Sequence, residues 1–379
     1  MLICNIVKFL SIILIALIIV IKQVNIVYNL HDNKIKMKRN RITVIGAYQK
    51  GEKFNGGQFV KTVSVVDLLR ENNNYKINVI NTHKWKLKAP LLFLKVFFSF
   101  FVSRHIILMT SYNGVRLFTP LLNFLNVFFG RKIHYIVIGG QIGKLVKKHK
   151  KLRKISKFYM IYVETEVMKL ELAESNIKNV VVLNNFKNLQ KTNLTYKEFE
   201  RKENLNICFF SRIEPQKGVI DLIDVIKEIN KDKVIYNLDI YGFIHDENND
   251  WFFSAIKETP YIKYKGIVDY NESVSVIENY FLQVFPTLYK TEGIPGSIID
   301  SYFAGVPVLS SRWNSFEQVV KENVTGLGFT LGDKSDLHSK LLYCYDNQKV
   351  IYDMKKGALE AANYYSKEYF IKTFQKHIK

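Results

Sequence analysis

From Arg41 onward the chain alternates short β-branched runs with longer stretches whose apolar residues recur every three or four positions. Ile42–Gly46 reads as a first strand. A polar loop with Asn55, Gly56 and Gly57 follows, and Phe59, Val63, Val66 and Leu69 then mark one face of an amphipathic helix. Ile77–Ile80, His105–Met109, His134–Ile138, Tyr159–Val163 and Val180–Leu183 predict further strands, with helical segments between them. Such alternation builds a parallel sheet covered on both faces.

Residues 186–204 are polar and charged and read as a linker. The alternation then restarts with Asn206–Ser211, where Cys208 occupies a core position. A helix follows with Val219, Leu222, Ile223, Ile226 and Ile229 on one face. Asn237–Tyr241, Ile262–Tyr264, Gln283–Phe285 and Val306–Leu309 predict further strands. The chain closes with helical segments containing Phe370, Phe374 and Ile378, a C-terminal helix able to cross back to the first unit. The expected fold is α/β: two facing Rossmann-like domains, residues 37–190 and 191–379, with parallel sheets and a cleft between them.

Two apolar stretches fall outside this scheme. Phe9–Ile21 is aliphatic except for Ser11, just short of the ~17–25 residues a spanning helix needs. No small-x-small cleavage site follows it. Cations crowd its C-terminal side (Lys34, Lys36, Lys38, Arg39, Arg41), which places the body of the protein on the cytoplasmic side of a membrane if the segment is an anchor. Met37 also looks like a natural start, so residues 1–36 read either as an anchor or as a non-native extension. Leu91–Val102 is strongly apolar but carries Lys95 and is followed by Arg104 and His105, so it reads as a buried or membrane-grazing helix.

The net charge of +21 directs attention to anionic partners: nucleic acid, lipid headgroups or phosphorylated substrates. Lys144–Lys157 holds eight Lys or Arg residues and no acid, with Leu145, Val146, Leu152 and Ile155 at roughly helical spacing. It reads as one basic amphipathic helix, either lying on an anionic membrane or solvated and packed by its apolar edge. No recognised nucleic-acid motif is present, so specific nucleic-acid binding is not expected. Cys4, Cys208 and Cys344 are far apart and odd in number, which fits neither a disulfide framework nor a metal site.

Two motifs carry chemistry. Phe209-Phe210-Ser211-Arg212-Ile213-Glu214-Pro215-Gln216-Lys217-Gly218 puts two cations in a loop between a strand end and a helix start. Ligands of open α/β sheets bind at carboxyl ends of strands, and helix N-termini favour anions. Arg212 and Lys217 there can hold a diphosphate from two sides. The second motif runs from Glu292 through Gly293, Ile294, Pro295, Gly296, Ser297 and Asp300 to Gly305-Val306-Pro307-Val308. Glu292 can accept hydrogen bonds from sugar hydroxyls. Pro295 suits the first helical turn, the small pair Gly296-Ser297 lets amides approach a phosphate, and Asp300 can reach a second hydroxyl pair such as a ribose.

The two motifs, their order and the roughly 80 residues between them resemble the large retaining glycosyltransferase family of the B-type fold (GT-B, glycosyl transferases group 1), in particular bacterial capsular and exopolysaccharide enzymes. Glu292 matches the first glutamate of the family's pair. Asp300, eight residues on, stands where the second glutamate usually is. Arg212 and Lys217 match its diphosphate-binding pair, with Ser211 as their neighbour. Gly56-Gly57 sits where a glycine-rich acceptor-side loop follows the first strand, and Val180–Asn185 resembles the strand and asparagine that close the first domain. The family's N-domain histidine has no counterpart, since that place reads Val137-Ile138-Gly139-Gly140.

The resemblance implies transfer of a hexose-type sugar from a nucleotide-sugar donor, with retention, by Arg212, Lys217 and Glu292, to a lipid-linked or oligosaccharide acceptor in surface-polysaccharide synthesis. No Asp-x-Asp motif stands at a plausible strand end, so no metal or cofactor is expected. The expected place of work is an anionic membrane surface on its cytoplasmic side, with the protein anchored or peripheral. A nucleotide-sugar epimerase of the same fold and a basic non-catalytic binding protein are the competing readings.

Overall fold

The computed structural model describes residues 41–48, 57–71, 75–85, 89–193 and 198–378. The apolar segment before Met37, Cys4 and Gly56 lie outside the described residues. The body contains two six-stranded sheets in which every pairing is parallel.

In the first sheet, β1 (Arg41–Gly46), β2 (Lys76–Asn81), β3 (His105–Met109), β4 (Lys132–Ile136), β5 (Met160–Val163) and β6 (Val180–Val182) lie in the order β2-β1-β3-β4-β5-β6. In the second, β7 (Leu205–Phe210), β8 (Tyr236–Tyr241), β9 (Ile262–Gly266), β10 (Leu282–Phe285), β11 (Val308–Ser311) and β12 (Gly326–Phe329) lie in the order β12-β11-β10-β7-β8-β9. Chain direction therefore reverses its march across the second sheet between β7 and β10. A crevice opens at such a point, beyond the carboxyl ends of the strands. All five residues of β3 and all four of β10 are buried, as expected of central strands covered on both faces.

Most predicted strands stand where the periodicity places them, and the departures have local causes. The run Val306–Leu309 starts late as a strand because Gly305 has φ +63° and Pro307 has no N–H to donate, so β11 begins at Val308 and extends to Ser311. Ser310 and Ser311 are fully buried there, their hydroxyls donating to the carbonyls of Phe285 and Thr287 at 3.0 and 2.6 Å. β12 escaped the sequence reading because Gly-Leu-Gly-Phe carries little strand propensity. Its glycine is a packing requirement: a Cβ on Gly326 would stand 2.0 Å from the Val308 carbonyl oxygen.

The basic run is not one helix. A short helix, Ile142–Lys148, ends at His149 (φ −122°, ψ 88°), and a separate 3-10 turn spans Lys150–Lys157. Val146, Leu152 and Ile155 point into the domain and are buried. The apolar edge is thus consumed by the core, and the run presents only its cations. Leu91–Val102 lies in the helix Ala89–Val102, which buries Leu92, Val96, Phe97 and Phe100 and leaves its other side exposed. Among the described residues no helix is long and apolar enough to cross a membrane.

The expected linker is structural at its beginning. Phe186 is buried in the core of the first sheet, and the Lys187 N–H donates to the Tyr365 carbonyl at 2.9 Å. The C-terminal helix Lys367–Ile378 packs Phe370, Phe374 and Ile378 against Ile42, Val44 and Val65 of the first domain, and Lys367 Nζ lies 3.0 Å from Glu71 Oε2. Cys208 and Cys344 are both buried, which raises their thiol pKa values, that of Cys344 to about 12.

Beneath that helix, His105, His134 and Tyr162 form a buried chain. His105 Nδ1 lies 2.9 Å from His134 Nε2, and His134 Nδ1 lies 3.0 Å from the Tyr162 hydroxyl. With Tyr162 donating to His134 and His134 donating to His105, both rings are satisfied while neutral. Burial, reinforced by Lys132 and Arg104, lowers His105 from 6.5 to about 4. Burial and the neighbouring His105, Lys132 and His377 hold His134 well below its usual value. Depressed histidines contribute stability above the unfolded value and lose it as pH falls toward the folded one. Between about pH 6.5 and 5, stability should fall by up to about 1.4 kcal/mol per pH unit for each histidine. Urea denaturation at pH 7.5 and 5 measures this. The His105→Phe, His134→Phe double variant should flatten the dependence, and a flat wild-type profile would contradict it.

Candidate active site

Both chemical motifs sit at the reversal point of the second sheet. β7 ends at Phe210, and the Ser211 N–H continues the ladder to the Tyr241 carbonyl at 3.1 Å. The chain then turns through the 3-10 turn Pro215–Lys217 into the helix Val219–Ile229. Gly218 joins them with φ +73°, and a Cβ there would stand 1.8 Å from the Pro286 carbonyl oxygen. Only glycine meets both conditions. The tight turn drives Lys217 inward over the end of β10.

Lys217 is nearly buried and paired with Glu292, which also accepts from the Thr287 hydroxyl at 3.1 Å. Its ammonium lies 5.0 Å from the Tyr289 ring centroid and 5.6 Å from that of Phe285. The lysine of the first motif and the glutamate that opens the second therefore meet, 75 residues apart in the chain. Arg212 is half-exposed at the rim, 3.2 Å from Glu214. Pro295 precedes the helix Gly296–Phe303 as its cap rather than standing in the first turn, its carbonyl accepting from Ile298 and Ile299. The first amides of that helix, at Gly296 and Ser297, precede its hydrogen-bonded turn and line the cleft.

Asp300 sits on this helix but is almost fully buried. Lys187 Nζ lies 2.7 and 2.9 Å from its two oxygens. Burial raises the Asp300 pKa, and Lys187 opposes the shift. Lys187 also lies 4.5 Å from the Tyr270 ring centroid. What faces the cleft is an ion pair, so the shorter side chain at this position comes with a lysine from the interdomain segment.

The first domain grips the second motif directly. Lys61, on the helix Gly57–Glu71, donates to the Val137 carbonyl at 3.1 Å and pairs with Glu164 at the end of β5. Glu164 Oε2 accepts from the Ile294 N–H at 2.8 Å. Asn185 Nδ2 donates to the Ile294 carbonyl at 3.2 Å, and the Ser315 and Thr165 hydroxyls lie 3.1 Å apart. A Cβ on Gly293 would stand 2.1 Å from Glu164 Oε2, and one on Gly140 2.1 Å from the Thr291 carbonyl oxygen.

Ser211, Arg212, Lys217, Glu292, Gly293, Ile294, Pro295, Gly296, Ser297, Asp300 and Gly57 all line one cavity of about 470 Å³. Gly57 opens a helix there rather than lying within a loop, and open space surrounds the position its Cβ would take. A second cavity of about 290 Å³ adjoins it, shares Arg212, Lys217 and Glu292, and is otherwise lined by Tyr289, Thr291 and first-domain residues such as Tyr112, Tyr135 and Gln141. Neither cavity is lined by a described histidine. Sequence reading missed Lys61, Glu164, Lys187 and Tyr270, whose partners are distant in the chain. The glycines at 140 and 293 were the only local trace of the contact.

Two six-stranded parallel sheets, facing across a cleft with anion-binding groups at the second sheet's reversal point, constitute the B-type glycosyltransferase fold. Residues 190–361, most of the second domain, match the family described as glycosyl transferases group 1. The chain resembles Anabaena HepE, solved in complex with UDP and glucose (TM-score 0.69, 14% identity, covering 89% of this chain and 98% of that one). It resembles sucrose-phosphate synthase of Thermosynechococcus elongatus as closely (TM-score 0.71, 13% identity, 89% and 98%). Among curated sequences it is 26% identical over 151 residues to an uncharacterized 41.2 kDa protein in the cps region of Klebsiella pneumoniae, a match spanning 40% of each chain.

Glu164 and Lys61 are buried together, so removing one strands the other. Glu164→Ala should destabilise the protein by about 3–5 kcal/mol, whereas Lys61→Met with Glu164→Leu should recover most of that loss. Urea unfolding of Lys61→Met, Glu164→Leu and their double checks the coupling, and additive effects would contradict it.

Proposed function

We propose that the protein is a retaining glycosyltransferase that moves a hexose-type sugar from a nucleotide-sugar donor to a lipid-linked glycan. It would work in surface-polysaccharide synthesis at the cytoplasmic face of a membrane. The observation that carries this reading is the meeting of Lys217, Glu292, Arg212 and the Gly296–Phe303 helix start around one cavity. The UDP and glucose bound by HepE and the cps location of the Klebsiella relative favour the donor class and the pathway.

The donor diphosphate lies over the Gly296 and Ser297 amides, between Lys217 and Arg212. As the bond from the anomeric carbon to the phosphate oxygen breaks, negative charge gathers on the diphosphate. Fixed cations and helix amides stabilise that charge without reorganising. Because these groups supply the positive charge, the reaction needs no metal. Glu292 accepts from sugar hydroxyls, and the Lys187–Asp300 pair faces the ribose. The acceptor hydroxyl enters from the adjoining cavity on the same face as the leaving phosphate. Its oxygen bonds to the anomeric carbon while its proton passes to the departing phosphate oxygen, which gives retention and releases a nucleoside diphosphate. Contact between the domains excludes water during transfer.

Nucleoside diphosphate release should require both donor and acceptor, persist in EDTA, and yield a product with the donor's anomeric configuration. Arg212→Ala and Lys217→Ala should each lower kcat by about a hundredfold or more. An isomerised nucleotide sugar formed without acceptor would instead identify an epimerase. A folded protein that binds no nucleotide would identify a binding protein.

A further inference from the structure

The helix Ala89–Val102 is apolar around most of its circumference, and one side meets solvent. Leu91, Leu94, Phe98 and Phe101 recur there at three- and four-residue spacing and are exposed. The last turns of the helix Tyr112–Phe129 add Val127 and Phe128, which are 80% and 52% exposed. Phe129 joins the two helices, with its ring centroid 4.8 Å from that of Phe101. Single exposed apolar side chains are ordinary on a protein surface. A contiguous patch marks a surface that meets something.

The cations of the basic run border this patch. Asn123, on the second of these helices, donates to the Lys154 carbonyl at 2.9 Å, which fixes the Lys150–Lys157 turn beside it. Lys150, Lys151, Arg153, Lys154 and Lys157 all point to solvent. Lys147 is paired with Glu174, whereas these five make no ion pair with a described carboxylate. No Asp or Glu occurs anywhere between Glu71 and Glu164, so both helices and the turn are free of acids.

We propose that this outer face of the first domain docks on an anionic lipid bilayer. Phenylalanine, leucine and valine side chains enter the headgroup and acyl boundary, and the lysines of the turn meet lipid phosphates. Charge selects this occupant. A second copy of the chain related by a twofold axis would bring the same acid-free, cation-bordered face against itself. A nucleic acid would satisfy the cations and leave the apolar patch in water. The stripe runs the length of the Ala89–Val102 helix, so that helix lies in the membrane plane. The second domain takes no part in the patch and stays free to open and close the cleft. The proposal rests on the reading above only in taking the acceptor to be lipid-linked, because the patch shares no residue with the donor cavity.

The test uses the full chain and vesicles of phosphatidylcholine with or without phosphatidylglycerol. In a Val127→Trp variant, brominated lipid in anionic vesicles should quench fluorescence beyond the baseline of the parent's own tryptophans. The Phe98→Ser, Val127→Ser, Phe128→Ser variant should bind anionic vesicles about tenfold or more weakly, with an unchanged melting temperature. Nucleoside diphosphate should stabilise it as it does the parent, so failure of docking is separable from failure of the donor site. If the Val127→Trp variant binds vesicles with no quenching beyond that baseline, the attachment lies elsewhere and the proposal is overturned. Absence of binding would overturn it too, as would a dimer in solution that the serine variant converts to monomer.

Discussion

The segment Thr291–Ile294 runs so close to the first domain that neither side has room for a side chain. Gly140 lies against the Thr291 carbonyl and Gly293 against the Glu164 carboxylate; within the second domain, Gly218 lies as close to the Pro286 carbonyl. This close approach determines where everything else in the cleft stands. It seats Glu292 over Lys217, delivers the Ile294 amide to Glu164, and aims the start of the helix Gly296–Phe303 into the cavity. Widening any one of these contacts by a methyl group would displace a cleft-facing group rather than merely loosen a loop.

Three lysine–carboxylate pairs line this cleft with little exposure: Lys61 with Glu164, Lys187 with Asp300, and Lys217 with Glu292. Buried pairs of this kind add little net stability, because desolvation offsets their attraction. Their value lies in holding charges at fixed positions. The site is therefore close to neutral while the protein carries +21. Much of the excess sits in the first domain between Glu71 and Glu164, a stretch without acids none of whose cations lines either cavity. The net charge and the paired charges of the cleft are separate features of this molecule.

The alternation of β-branched runs and amphipathic stretches was enough to predict both sheets, because buried parallel strands leave a continuous apolar signature. β12 was hidden, since its Gly326 answers to Val308 of β11 and its Gly328 to the Phe316 and Arg312 side chains, not to any propensity of their own. The two motifs were legible because each gathers its charged and small residues within one strand-to-helix junction, which leaves a local order of residue types. Lys61, Glu164 and Lys187 were not, because an ion pair closed over 103 or 113 residues leaves no spacing to read. The basic run misled through its period. His149 breaks the helix, and the apolar residues that suggested a membrane-facing edge fill the core. The apolar surface that does remain in solvent belongs to the neighbouring helices.

On this account the donor's diphosphate, not the Glu292 carboxylate alone, is the partner for which Lys217 is held in place. A crystal structure with a bound nucleoside diphosphate tests that most directly. The expected result is a terminal phosphate within hydrogen-bonding distance of Lys217 Nζ and of the Gly296 or Ser297 amide, with Arg212 turned inward from the rim. A nucleotide bound elsewhere, or a phosphate in the cleft that leaves Lys217 untouched, would contradict the assignment.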